Sequence, residues 1–82
     1  MKVLIADFAN SVKLTSSALA CVAYDNGRQH LQVEFLDGSV YVYLGVPPAI
    51  YHELLDAQSQ GGYFNRRIRN VYAHSVAKTP LG

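Results

Sequence analysis

The 82-residue chain carries a single cysteine, Cys21, which excludes an intramolecular disulfide framework and a cysteine-rich zinc site, and suits a reducing compartment. It also lacks a charge excess: seven Lys plus Arg against six Asp plus Glu leave a net charge of +1, so any electrostatic partner has to be read from a local cluster. Only 16% of residues are charged while 50% are hydrophobic. That balance excludes a disordered tail and implies a packed globule. No long hydrophobic run is present either. Val3-Leu4-Ile5-Ala6 ends at Asp7, short of the roughly 7–15 apolar residues of a signal-peptide core and the 18 or more of a membrane span. A cytoplasmic protein with no membrane partner is the expectation. There is no repeat and no low-complexity tract, and 82 residues leave room for one domain, spanning 1–82, of modest stability, about 4–10 kcal/mol.

What is there reads as three strands followed by two helices. Residues 1–13 are expected to form an extended segment, because Ser11 and Thr15-Ser16-Ser17 break the periodicity begun by Val3–Ala6. Residues 18–24 are apolar on both alternating faces and end at Asp25-Asn26-Gly27, whose Asn and Gly can supply the positive φ of a reversal. Residues 31–36 alternate, with Leu31, Val33 and Phe35 on one side and Gln32 and Glu34 on the other. A two-residue turn at Asp37-Gly38 would return residues 39–44 with Phe35 opposite Val40, Val33 opposite Val42 and Leu31 opposite Leu44. That register leaves Tyr41 opposite Glu34 and Tyr43 opposite Gln32 on a second, polar face.

Pro47-Pro48 stops the last strand and pre-sets φ for a first helical turn. Ile50, Leu54 and Ala57 then recur at helical spacing, predicting a helix over 48–57. Ser59 is placed to cap a second helix over 60–72, with Phe64, Ile68, Val71 and Tyr72 on its apolar arc and Arg67 at the border beside Tyr63. Residues 76–82 read as a frayed tail. The expected fold is α+β, a three-stranded antiparallel meander with two C-terminal helices packed on the face bearing Leu31, Val33, Phe35, Val40, Val42 and Leu44.

The order of these features resembles one family. Ser16-Ser17, a strand ending Tyr24-Asp25, Leu31-x-Val33-x-Phe35 with Gly38, Tyr41-Val42-Tyr43, Gly45-Val46-Pro47, a helix near Tyr51, and Ser59-x-Gly61-x-Tyr63-Phe64-Asn65 with Ile68-Arg69 and Tyr72 together resemble the KTSC domain over about residues 14–73. That resemblance implies a small module found at the C-terminus of some lysyl-tRNA synthetases and as stand-alone bacterial and phage proteins, for which RNA binding has been suggested. Residues 1–13 and the tail inherit nothing from it.

Candidate chemistry is thin. Cys21 sits mid-strand among Ala20 and Val22, where a thiol packs rather than reacts, and His30, His52 and His74 lack metal-ligand spacing. The carboxylates form no recognisable acid–base pair, and Gly61-Gly62 lacks any phosphate-loop fingerprint. The sequence therefore points to a non-catalytic module with no metal and no cofactor. Its candidate RNA-binding residues are Tyr41 and Tyr43, as a stacking platform on an exposed sheet face, and Arg66, Arg67 and Arg69, as the basic cluster. Plainer roles are available to all five: tyrosine is a good strand residue, and arginines suit the end of an amphipathic helix. RNA is one candidate partner; the alternative is a protein-interaction or self-association module using a sheet face or edge.

Overall fold

Two proline residues divide the chain into a sheet-forming half and a helical half, and the last strand returns to the sheet after the helices. A computed structural model describes residues 11–80. The expected extended segment therefore lies mostly outside the described residues. The strands are β1 (Val12–Lys13), β2 (Leu19–Asp25), β3 (His30–Phe35), β4 (Val40–Tyr43) and β5 (His74–Lys78), with α1 (Pro48–Asp56) and α2 (Gln60–Arg67) between β4 and β5. They form one antiparallel sheet in the order β1-β2-β3-β4-β5. The fold is α+β, as expected, but with five strands and not three. The two additional strands are the edges, and Val76 to Lys78, expected in a frayed tail, belong to β5. Both edges are short and solvent-exposed, so no run of apolar residues marks them.

The β3–β4 register corrects the expected face assignment. Leu31 pairs with Tyr43, Gln32 with Val42, Val33 with Tyr41 and Glu34 with Val40, one residue away from the expected pairing. The turn is the cause. Phe35 N donates to Ser39 O (2.9 Å) and Gly38 N to Phe35 O (3.0 Å), so Leu36, Asp37 and Gly38 form a three-residue loop, with Gly38 at φ 91°, the positive φ such a loop requires. Because side chains alternate with a period of two, that single residue exchanges the faces. Tyr41 and Tyr43 lie with Leu31 and Val33 beneath the helices, and Val40 and Val42 point to the other face. Leu44 is exposed.

The core on the helical face joins Leu19, Val22, Leu31, Val33 and Tyr43 from the sheet to Val46, Leu54, Tyr63, Phe64 and Ile68. On the other face Ala23, Gln32, Val40 and Val42 are buried as well. Helix α1 starts as expected, with Pro47 as N-cap and Pro48 in its first turn. In α2 the Ser59 Oγ accepts from Gly62 N (3.2 Å), satisfying one of the four orphan N–H groups of a helix start. A Cβ at position 62 would lie 2.9 Å from that Oγ, so glycine makes room for the cap. This helix ends at Arg67, five residues before the expected end, and Val71 is exposed. At the β2–β3 connection the positive φ falls on Gln29 (57°) and not on Asn26 or Gly27, while Asp25 Oδ1 accepts from Gly27 N and Arg28 N. Among the described residues no helix is long and apolar enough to cross a membrane.

Candidate functional site: an aromatic cleft beside the edge strand

Where β4 meets β5 the aromatic residues of the sheet continue to its edge. Tyr43 is paired with His74, which brings the imidazole onto the helical face of the sheet. The Tyr41 ring stacks on that of His74 (centroids 5.2 Å apart, planes at 30°) and runs nearly parallel to Tyr43 (6.4 Å, 18°). From behind, Phe64 meets Tyr43 edge-on at 5.4 Å and Phe35 at 5.6 Å, and Phe35 meets Tyr41 edge-on at 5.4 Å. Such edge-to-face contacts match ring edges to ring faces and hold each ring at a fixed tilt.

A cleft of about 480 Å³ opens over these rings, within the range of small-molecule sites. Phe35, Tyr41 and Tyr43 line it from the sheet and His74 from the edge strand. Arg69 and Asn70, in the turn after α2, and Asp37 and Ser39, in the β3–β4 loop, contribute its polar groups. Arg69 Nη1 donates to Asn65 Oδ1 (3.1 Å). Burial pushes the Tyr43 hydroxyl pKa up, and the positive charge of Arg69 acts against that shift. Asp37 Oδ1 accepts from Ser39 N (2.9 Å) and Ser39 Oγ (2.7 Å); these bonds hold the carboxyl below its ordinary pKa.

The five residues singled out from the sequence separate here. Tyr41, Tyr43 and Arg69 line the cleft, but the tyrosines do not form an exposed platform on a free sheet face. Tyr43 is 2% exposed and belongs to the core; Tyr41 is half-buried. Arg66 and Arg67 do not line the cleft, and the Arg67 guanidinium lies 6.0 Å from the centroid of the Tyr63 ring, the packing expected of a border residue one turn away. Asp37, Asn70 and His74 escaped sequence reasoning, because only the loop, the end of α2 and the edge pairing bring them together.

Elsewhere, Cys21 Sγ lies 3.2 Å from Glu34 Oε1 on the other sheet face. Burial raises its pKa, and the hydrogen bond to Glu34 and its charge raise it further, which disfavours the reactive thiolate. Among the described residues no three His, Cys, Asp or Glu side chains are grouped so as to hold a metal ion.

The model of the KTSC domain matches residues 15–72. The chain belongs to the KTSC family. An uncharacterized protein of Stutzerimonas stutzeri is 46% identical over 55 residues, 67% of this chain and 78% of that one. A lysine–tRNA ligase of Nostoc punctiforme is 36% identical over 61 residues, 74% of this chain but 11% of the ligase. The crystal structure of a KTSC domain protein from Yersinia pestis superposes with a TM-score of 0.76 at 25% identity, covering 88% of this chain and 96% of that one. The cleft is thus built on a KTSC fold that occurs both in small proteins and within a much longer ligase.

Proposed function

We propose that this KTSC protein is a non-catalytic RNA-binding module that holds an unpaired base in the aromatic cleft. The observation that carries the reading is the Tyr41–His74 stack, at the mouth of a cleft that also takes in the Arg69 guanidinium. Bases splayed from single strands or loops are held by stacking on aromatic rings, at about 1–3 kcal/mol per base, and arginine supplies the phosphate contact. Arg66, in the last turn of α2, is a second candidate phosphate contact outside the cleft. The similarity to a segment of a lysine–tRNA ligase supports a ligand of this class.

Fluorescence anisotropy with labelled single-stranded RNA and with tRNA tests it. Tyr41→Ala and His74→Ala should each weaken binding by about 1–3 kcal/mol with little change in salt dependence, since stacking releases few counterions. Arg66→Ala and Arg69→Ala should each flatten the slope of log affinity against log salt by about one unit. Absence of binding at about 100 μM protein in low salt, where even non-specific contact registers, would overturn the reading.

One observation favours a second reading. Strand β5 is a sheet edge whose five residues are all exposed, and such an edge can accept a strand from another protein or a second copy. Binding of that kind would be nearly indifferent to salt, which separates it from the first.

A further inference from the structure

The polar groups of the cleft differ in what they can accept and donate. On the loop side Asp37 is exposed at the rim, and both of its bonds from Ser39 converge on Oδ1, which orients the carboxylate without using Oδ2. An ionised carboxylate accepts hydrogen bonds and donates none. On the helix side Arg69 is the reverse, a donor with no acceptor, and one of its nitrogens is spent on Asn65. The cleft in which a base would continue the Tyr41–His74 stack is thus lined by an acceptor from the loop and a donor from the turn after α2.

The four RNA bases answer that demand unequally. Guanine presents two adjacent donors, N1–H and N2–H₂, and carries acceptors at O6 and N7. Adenine and cytosine each present an amino group beside a ring nitrogen whose lone pair a carboxylate repels. Uracil offers one N–H between two carbonyl oxygens, which a carboxylate also repels. We propose that the cleft selects an unpaired guanine, its ring continuing the Tyr41–His74 stack and its N1–H and N2–H₂ donors converging on the free Oδ2 of Asp37. This selectivity rests on the RNA-binding reading above and names the base which that site takes. An exposed aspartate is ionised at neutral pH, so the acceptor is available there.

The test uses the full chain and labelled oligouridine carrying one central guanine, adenine, cytosine, uracil or hypoxanthine, read by anisotropy at fixed salt. The guanine strand should bind about 5- to 150-fold tighter than the adenine, cytosine and uracil strands, the range of a good pair of base-edge hydrogen bonds. Hypoxanthine, which keeps N1–H but lacks the 2-amino group, should fall between. Asp37→Asn retains an oxygen for Ser39 and so the loop, but replaces the free acceptor with a donor; it should bring all five strands within about twofold of one another, with an unchanged thermal melt. Equal binding of all five strands by the wild type would overturn the guanine assignment and leave RNA binding standing. A guanine preference that survives in Asp37→Asn would overturn the role of the carboxylate. Binding of none of the strands would overturn the RNA reading itself.

Discussion

The two ends of the helical face each carry a stacked aromatic pair, and they are finished differently. At the α1 end Tyr24 stacks on Tyr51 with centroids 4.7 Å apart and planes at 12°, and the Tyr24 hydroxyl donates to the Val46 carbonyl. Nearby, the Tyr63 hydroxyl donates to Glu53 Oε1 (2.6 Å), tying α2 to α1. Here the Tyr24 and Tyr63 hydroxyls are occupied and the stacked rings close a seam between sheet and helix. At the α2 end Tyr41 and His74 stack at similar spacing, but a cleft opens over them beside the turn that follows α2. Similar ring pairs thus close a seam between sheet and helix at one end and line an open cleft at the other.

The largest test of that contrast is Phe64→Ala. Phe64 is 1% exposed and supports both Phe35 and Tyr43, so its loss should cost about 3–5 kcal/mol and empty the foundation of the open end, as read in a thermal or denaturant melt. Tyr24→Phe keeps the closed stack but removes its hydrogen bond, with an expected loss of about 0.5–1.5 kcal/mol and no change in RNA affinity. Tyr63 adds a pH signature to the closed end. Its pKa is pushed up to about 12, by burial first and then by the hydrogen bond to Glu53 and its charge, whereas an unfolded tyrosine ionises near pH 10. The folded state therefore holds that proton where the unfolded state releases it. Its contribution is complete below about pH 10 and is lost as pH rises towards about 12. Alkaline melts of Tyr63→Phe should show a shallower fall over that interval. The smallest stability effect belongs to His74→Ala, exposed on an edge strand, which should stay within about 0.5 kcal/mol of wild type while weakening RNA binding. If it destabilised the protein as Phe64→Ala does, the open end would be core and the contrast would fail.

Legibility followed the strength of local signals. The prolines at 47 and 48 and the serine at 59 announce both helix starts, because fixed φ and a side-chain acceptor act within one turn. Phe64 and Ile68 were readable as buried for the same reason, through their spacing on one helical arc. The end of α2 was not, since Val71 and Tyr72 continue the apolar period although Val71 is exposed. Edge strand β5 was hidden because His74–Lys78 has one apolar side chain larger than alanine, and its place in the sheet comes from pairing with β4. Of the cleft, Tyr41, Tyr43 and Arg69 could be nominated by type alone. Bringing His74 to Asp37, Tyr41 and Tyr43 joins positions more than thirty residues apart.

What the amino-acid order determined by itself is the succession of elements, the helix starts and the KTSC pattern, each set by contacts within a few residues. What the tertiary structure alone decided is the face on which the tyrosines lie. Val40-Tyr41-Val42-Tyr43 is apolar on both sides of the strand, so alternation carries no polarity to choose between them. Asp37-Gly38 suits a two-residue loop as well as the three-residue loop observed. The choice goes to the arrangement in which Tyr43 packs against Phe64, because that large ring buries most apolar area beneath the helices, and the same choice places Tyr41 at the mouth of the cleft.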